Sequence, residues 1–176
     1  MSDAAPPEGI QLERHRDLVG RTRYLWARRA LLLALFVVIL AALANVFGQR
    51  PQTELATTPT ASLKVYAPLR VRSGDIFTAR LHIYAHADLK HATLILDPGW
   101  FEGMTFNGSS PQASQETSRN GRPAFEFGDV PAGTSFIAFL SFQVDPTNVG
   151  RRAANVELDD GSQRLAVIHR TLTIWP

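Results

Sequence analysis

The chain has 176 residues, which is enough for one ordinary domain and a short additional segment. Its formal net charge is only +2, so the total charge does not indicate nucleic-acid binding, and no nucleic-acid partner is expected. It contains no cysteine, which excludes disulfides, thiolate metal sites, cysteine nucleophiles and a lipid-modified cysteine.

Residues 1–29 are predicted to form a basic arm on the cytoplasmic side of a membrane. Six of the 18 basic residues are arginines between Arg14 and Arg29, directly before the longest apolar run. Arginine next to an apolar segment favours the cytoplasmic side, and aromatic rings prefer the headgroup layer. Membrane lipid is therefore an expected partner. The residues expected at the membrane interface are Arg21, Arg23, Tyr24, Trp26, Arg28 and Arg29.

Residues 30–47 are predicted to be a single transmembrane helix. Twelve of these 18 residues are Leu, Ile, Val or Phe, and Asn45 is the only one with a polar side chain. A helix of this length rises about 27 Å, close to the hydrocarbon thickness of a bilayer. The arginines precede it, whereas only Arg50 closely follows it. The sequence thus predicts a cell-membrane protein with a cytoplasmic N-terminus and an extracytoplasmic C-terminal part.

The same segment allows a second interpretation, in which it is a cleaved signal peptide. Ala42-Leu43-Ala44 has the small-x-small pattern of a cleavage site. The long N-terminal flank and the 18-residue apolar run favour an uncleaved anchor. Cleavage after Ala44 stays an alternative at this point.

Residues 48–61 are predicted to be a linker, and residues 62–176 an extracytoplasmic domain. The linker is rich in Thr and Pro and shows no apolar periodicity, which is typical of an extended spacer. From Ser62 onward, short alternating runs are separated by turn residues, and this pattern predicts a β-sandwich.

Seven or eight strands are predicted in this domain. Alternation is clearest in residues 76–84 and 136–144, where every second residue is apolar, while residues 107–122 are predicted to be a polar loop. Residues 153–158 and 165–174 are predicted to pair as a hairpin across Asp159-Asp160-Gly161. The fold class is therefore all-β: an antiparallel Ig-like β-sandwich preceded by one N-terminal transmembrane helix.

Four segments resemble the Ig-like conserved-repeat domains of bacterial envelope proteins. They are Ser73-Gly74-Asp75, Ala87-Asp88-Leu89-Lys90-His91-Ala92, the run from Asp97 to Met104, and the run from Phe127 to Ser135. The likeness spans roughly residues 63–175. It implies an adhesive, spacer or interaction module rather than an enzyme, and it implies no catalytic residues. Such domains often occur in tandem, whereas this chain has a single copy.

No catalytic residue, cofactor or metal site is predicted. His82 and His86 share a strand face but stand about 13 Å apart if the strand continues, too far to bind one metal ion. The turn aspartates, such as Asp97 and Asp129, are explained by hydrogen bonds to the turn backbone. No Gly-x-Ser-x-Gly motif is found in the sequence.

Two binding functions are considered. The first is a single-pass envelope protein whose outer domain contacts another membrane protein or an envelope component, as an accessory or structural subunit of a complex. The second is a module that binds cell-wall carbohydrate. Trp100, Phe101 and Trp175 are the predicted interaction surface in either case, because exposed aromatic rings stack on sugars and anchor protein partners.

Overall fold

The computed structural model describes residues 22–46 and 48–176. The chain divides after Phe47 into two compact units, residues 1–47 and 48–176. In the described residues, the first unit contains one helix and the second contains the β-strands. The remainder of the predicted basic arm, residues 1–21, lies outside the described residues.

The helix α1 extends over Thr22–Leu43 and is long and apolar enough to cross a membrane. Its 21-residue stretch Arg23–Leu43 rises about 32 Å, and none of it is buried within the structure. The helix begins earlier than predicted because Arg, Ala and Leu at residues 25–30 are good helix formers. It ends earlier because Asn45 adopts a left-handed conformation, with φ of 53°, just after it.

The second unit is built from thirteen short strands and one 3-10 turn at Pro98–Trp100. The strands are β1 Pro51–Thr57, β2 Ala61–Pro68, β3 Arg70–Arg72, β4 Ile76–Ala85, β5 Leu89–Leu96, β6 Met104–Ser110, β7 Gln115–Arg119, β8 Arg122–Val130, β9 Ser135–Val144, β10 Gly150–Ala153, β11 Val156–Asp160, β12 Gln163–Ile168 and β13 Thr171–Trp175.

These strands form two five-stranded antiparallel sheets and one small sheet. Sheet 1 has the order β1-β2-β4-β9-β6, and sheet 2 has the order β12-β11-β5-β8-β7. The third sheet has the order β10-β13-β3, and its β13–β3 pair is parallel. The predicted fold class is confirmed: an all-β Ig-like sandwich follows an apolar N-terminal helix.

The core between the sheets comes from the alternating residues of the long strands. In β4, Phe77, Ala79, Leu81 and Ile83 are buried, whereas the residues between them point outward, as predicted. The inward residues of β9 alternate in the same way. They pack with inward residues of β5 and β11 into one apolar cluster. Burial of one side of each strand therefore sets the register of both sheets.

The predicted spacer differs from the structure, because residues 51–57 form the edge strand β1. This strand pairs with β2 along its whole length, from Pro51 opposite Pro68 to Thr57 opposite Ser62. Its inward positions include Glu54 and Ala56, which explains why no apolar alternation is visible in the sequence. The linker prediction is wrong for these seven residues.

Two further predictions need correction in detail. The predicted polar loop at residues 107–122 contains the end of β6 and all of β7, which forms a hairpin with β8 through Asn120-Gly121. The predicted last strand is two strands, because the chain leaves sheet 2 after Ile168 and joins the small sheet at Thr171. Between them, the backbone N–H of Arg170 donates to the side-chain oxygen of Asn155 at 2.9 Å.

Candidate functional site

Trp100 lies in the core, so its predicted place on an interaction surface is wrong. It is only 1% exposed, and its indole N–H donates to the carbonyl of Ala154 at 2.9 Å. Its ring packs 5.3 Å from that of Phe142. The preceding Gly99 allows this packing, because a Cβ there would lie 2.0 Å from the carbonyl oxygen of Ala153. The Pro-Gly turn therefore folds the indole inward.

Phe101 and Trp175 do not complete an exposed surface with Trp100. Phe101 is half-buried against the core, with its ring 5.7 Å from Phe142 and 5.9 Å from Phe106. Trp175 is 46% exposed at the end of β13. Only one of the three predicted rings is thus available to a large ligand.

The predicted membrane-interface residues lie at the start of α1, with one exception. Arg23, Tyr24, Trp26, Arg28 and Arg29 are all exposed on the first turns of the helix. The guanidinium of Arg29 lies 5.7 Å from the centre of the Trp26 ring. The exception is Arg21, which lies outside the described residues. Contact of these residues with lipid headgroups stays a prediction.

Two histidines of the domain have polar partners. A ring nitrogen of His86 lies 2.9 Å from the hydroxyl oxygen of Ser62, and a ring nitrogen of His91 lies 2.9 Å from a carboxylate oxygen of Glu126. His82 lies on the outward side of β4. Among residues 22–46 and 48–176, no group of three His, Cys, Asp or Glu side chains is placed to hold a metal ion.

A more distinctive surface is the outer side of sheet 1, here called the basic apolar face. Its apolar members are Leu55, Tyr66, Tyr84, Ile137 and Phe139, and each is between 37% and 63% exposed. Exposed apolar side chains scattered singly are ordinary on protein surfaces, whereas a contiguous set is characteristic of an interaction site.

The strand register places these residues side by side. In one row across the sheet, Leu55 of β1, Lys64 of β2, His82 of β4 and Ile137 of β9 are direct cross-strand partners. Directly opposite residues on one sheet face lie about 5 Å apart, so the side chains of a row are in contact range.

The neighbouring row has the same mixed character. It contains Tyr66, Arg80 and Phe139 on β2, β4 and β9. The guanidinium of Arg80 stands 4.9 Å from the centre of the Tyr66 ring, a cation–π arrangement. A shallow depression of about 200 Å³ lies between the rows and is lined by Lys64, Tyr66, Arg80, His82 and Ile137.

The electrostatics of this face are one-sided. The outward positions of its five strands, all within the described part of the chain, hold Lys64 and Arg80 but no Asp or Glu. Burial lowers the pKa of His82, and the nearby charges of Lys64 and Arg80 lower it further. His82 is therefore neutral at neutral pH, while the two other cations keep the face positive.

The sequence contains a signal for this face beyond the alternation of its strands. Residues 136–140 are Phe-Ile-Ala-Phe-Leu, a continuous apolar run within a strand whose other face is buried. A half-solvated strand normally has polar residues at its outward positions. Ile137 and Phe139 depart from that pattern.

The fold and this face define the class of protein: an Ig-like β-sandwich with an exposed apolar sheet face, preceded by a helix able to span a membrane. No family model and no curated protein match the chain. The narrower resemblance to conserved-repeat domains therefore stays a prediction.

Several solved structures are similar in fold at low sequence identity. The cohesin CaCohA2 from Clostridium acetobutylicum has 13% identity and a TM-score of 0.44, over 72% of this chain and 92% of that one. The cupredoxin domain of amoB from Nitrosocaldus yellowstonii has 11% identity and a TM-score of 0.38, over 58% of this chain and 57% of that one. A CARDB domain from Pyrococcus furiosus, solved with di-metal ions, has 12% identity and a TM-score of 0.37, over 68% of this chain and 98% of that one. All three are Ig-like β-sandwiches, and the likeness concerns the fold alone.

Proposed function

We propose that the chain is a single-pass membrane protein of the cell envelope whose sandwich domain binds a protein partner through the basic apolar face. The role is that of an accessory or structural subunit of a membrane complex, without catalysis. The observation that supports it best is the set of exposed apolar side chains on four strands, interleaved with Lys64, His82 and Arg80. Among the described outward residues of this sheet there is no carboxylate.

The composition of the face indicates the chemistry of the partner. Protein interfaces are enriched in aromatic residues and arginine at their centres, and Tyr66, Arg80 and Phe139 provide both. The uncompensated positive charge favours a partner surface that presents carboxylates around an apolar centre. The second predicted partner class, lipid, would contact α1 rather than this face.

The membrane anchor is supported by α1 and by the arginines at its start. At about −0.3 to −0.6 kcal/mol for each central Leu, Ile, Val or Phe, insertion of the helix is favourable by several kcal/mol. The arginines on its N-terminal side favour a cytoplasmic N-terminus and an extracytoplasmic sandwich.

The carbohydrate-binding alternative, in the form based on aromatic stacking, loses most of its support. It depended on Trp100 and Phe101, which lie in the core or against it. Trp175 alone offers one half-exposed ring. A protein partner therefore fits the exposed aromatic residues better.

Site-specific photocrosslinking in cells tests the protein-binding proposal. A photoreactive amino acid in place of Phe139 is expected to give a discrete adduct with one protein. The matched control is the same replacement at Val149, an exposed apolar residue outside sheet 1. Reversing the charge of the face with Lys64→Glu and Arg80→Glu is expected to abolish the adduct at Phe139.

Two results would contradict the proposal. One is an equal yield of the same adduct from Val149, which would show unspecific contact. The other is an adduct from Phe139 that survives both charge reversals. The orientation is tested separately: a protease added to intact cells, with the outer membrane permeabilised where one is present, is expected to remove a tag placed after Pro176.

A further inference from the structure

A second surface lies on the outer side of sheet 2, where charged side chains form a groove of about 680 Å³. We call it the arginine groove. The charged side chains that line it are Arg119, Arg122, Glu157, Asp159 and Arg164. Its volume is in the range of small-molecule sites, and Ile95 is the one apolar side chain among its described lining residues. This lining favours a polar ligand over an apolar one.

The groove floor holds two buried carboxylates that point away from the core. Glu157 and Asp159 alternate on β11 with Val156 and Leu158, which face the core cluster. The two acids are only 4% and 6% exposed, although they lie on the outer face of a sheet. Charged side chains are rarely so buried without a partner.

The carboxylates hold the arginines rather than a free cation. Arg122 donates from Nη1 to Oε2 of Glu157 at 2.8 Å, and Arg164 donates from Nε to Oε1 of the same residue. Arg119 donates from Nη1 to Oδ2 of Asp159 at 3.4 Å and also to the carbonyl of Gly161. The Nη1 of Arg122 also lies 3.6 Å from Oδ1 of Asp97. Three guanidiniums are thus matched by three carboxylates, so this cluster has no net charge while all of them are ionised.

We propose that the arginine groove binds an anionic, polyhydroxylated ligand, such as a saccharide that bears a carboxylate. Guanidinium groups form bidentate hydrogen bonds with carboxylates and phosphates, and here they are already positioned by Glu157 and Asp159. The polar side chains of Ser118, Asn120 and Ser162 provide further donors and acceptors for hydroxyl groups. This site is independent of the basic apolar face, which is on the other sheet.

Protonation of Asp159 connects this site to pH. Its Oδ1 is buried without a hydrogen-bond partner, and the charged groups facing it are Glu157 on its own strand, Arg119 from β7 and Arg164 from β12. Burial and the adjacent Glu157 raise the pKa of Asp159 to about 6. Below that pH the cluster of three arginines and three carboxyl groups has a net charge of +1, so an anion is expected to bind more tightly.

Isothermal titration calorimetry on the full chain in mild detergent tests the proposal. The probe is a trimer of galacturonic acid; the comparison ligands are a neutral glucose trimer and inorganic phosphate. We expect the acidic trimer to bind about tenfold more tightly near pH 5 than near pH 7.5, from one added charge at short range. Arg164→Gln is expected to weaken binding about tenfold, and the matched control Arg151→Gln, an exposed arginine on β10, to leave it unchanged.

The variant Asp159→Asn separates a ligand site from a purely structural network. It is expected to keep tight binding at both pH values, because its side chain cannot ionise. The proposal is overturned if the acidic trimer does not bind at either pH or if the neutral trimer binds equally well. It is also overturned if phosphate binds as tightly as the acidic trimer, or if Arg164→Gln and Arg151→Gln behave alike.

Discussion

Replacing Glu54 by Gln tests whether β1 is part of the folded domain rather than a spacer. Glu54 lies 3.3 Å, Oε2 to Nε, from Arg170, whose side chain is 1% exposed. The Arg170 guanidinium lies 5.2 Å from the Trp100 ring centre and donates to the carbonyls of Ala67 and Pro68. Burial lowers the pKa of Arg170, and the charge of Glu54 partly restores it. Glu54→Gln therefore leaves a buried cation without its counter-charge.

The magnitude follows from the burial of each partner. Breaking a fully buried ion pair costs about 3–5 kcal/mol. The Glu54 side chain is 26% exposed, and Arg170 keeps its two carbonyl acceptors and its contact with the Trp100 ring. We therefore expect Glu54→Gln to lower the free energy of unfolding by about 2 kcal/mol. For a domain of this size, that loss lowers the melting temperature by roughly 8 °C.

The assay is urea unfolding of the full chain in detergent, followed by circular dichroism. Glu116→Gln, an exposed acid on the edge strand β7, is the matched control and is expected to change stability by less than about 0.5 kcal/mol. In an Arg170→Met background, Glu54→Gln is expected to cost much less, because no buried cation remains. Equal stability of the Glu54 and Glu116 variants, or an unchanged cost in that background, would refute the reasoning.

Three further predictions concern the core, the groove and the helix. Trp100→Ala is expected to destabilise the domain by about 3–5 kcal/mol in urea unfolding, since it creates a core cavity and removes the hydrogen bond to Ala154. The pKa of Asp159 is raised in the folded state, so the domain loses stability as pH rises from 3.8 towards about 6. Compared with the Asp159→Asn variant, the free energy of unfolding of the unmutated chain is expected to fall by about 2 kcal/mol between these pH values. Glu157 has a lowered pKa, so its stabilising effect is lost only as pH falls below 4.5, and measurements between pH 4.5 and pH 7 isolate Asp159. Replacing Leu35 and Val38 by arginine is expected to make the free energy of membrane insertion less favourable by about 3 kcal/mol for each substitution. The double variant is expected to be released from membranes that are washed with carbonate.

The buried half of each long strand could be predicted from the sequence. Residues such as Leu81 and Leu140 alternate with outward residues, and a shift of one residue would expose every core side chain. The apolar helix could also be predicted, because an uninterrupted apolar run of this length is typical of a membrane-spanning helix. Both signals come from a repeated pattern of apolar residues.

The parts that could not be predicted depend on polar contacts between distant segments. Strand β1 is recognisable only once Arg170, 116 residues later in the chain, provides a partner for Glu54. The burial of Trp100 could not be predicted, because it depends on the close approach of Gly99 to Ala153, which is distant in the sequence. The hairpin at Asn120-Gly121 is different, because that dipeptide is a strong local turn signal that is visible in the sequence.

The two outer faces of the sandwich differ in a way that makes the two proposed sites separable. At its described outward positions, sheet 1 presents cations and apolar side chains but no acid, whereas sheet 2 presents arginines already paired with buried carboxylates. Packed sheets lie about 10 Å apart, and the outward side chains increase the distance between charges on the two outer faces. These charges are therefore separated by more than the screening length, which is about 8 Å at physiological salt. Charge reversal at Lys64 should therefore leave anion binding in the arginine groove unchanged, and Arg164→Gln should leave the Phe139 crosslink unchanged. If either variant altered the other site, the two faces would have to belong to a single binding surface in the assembled complex.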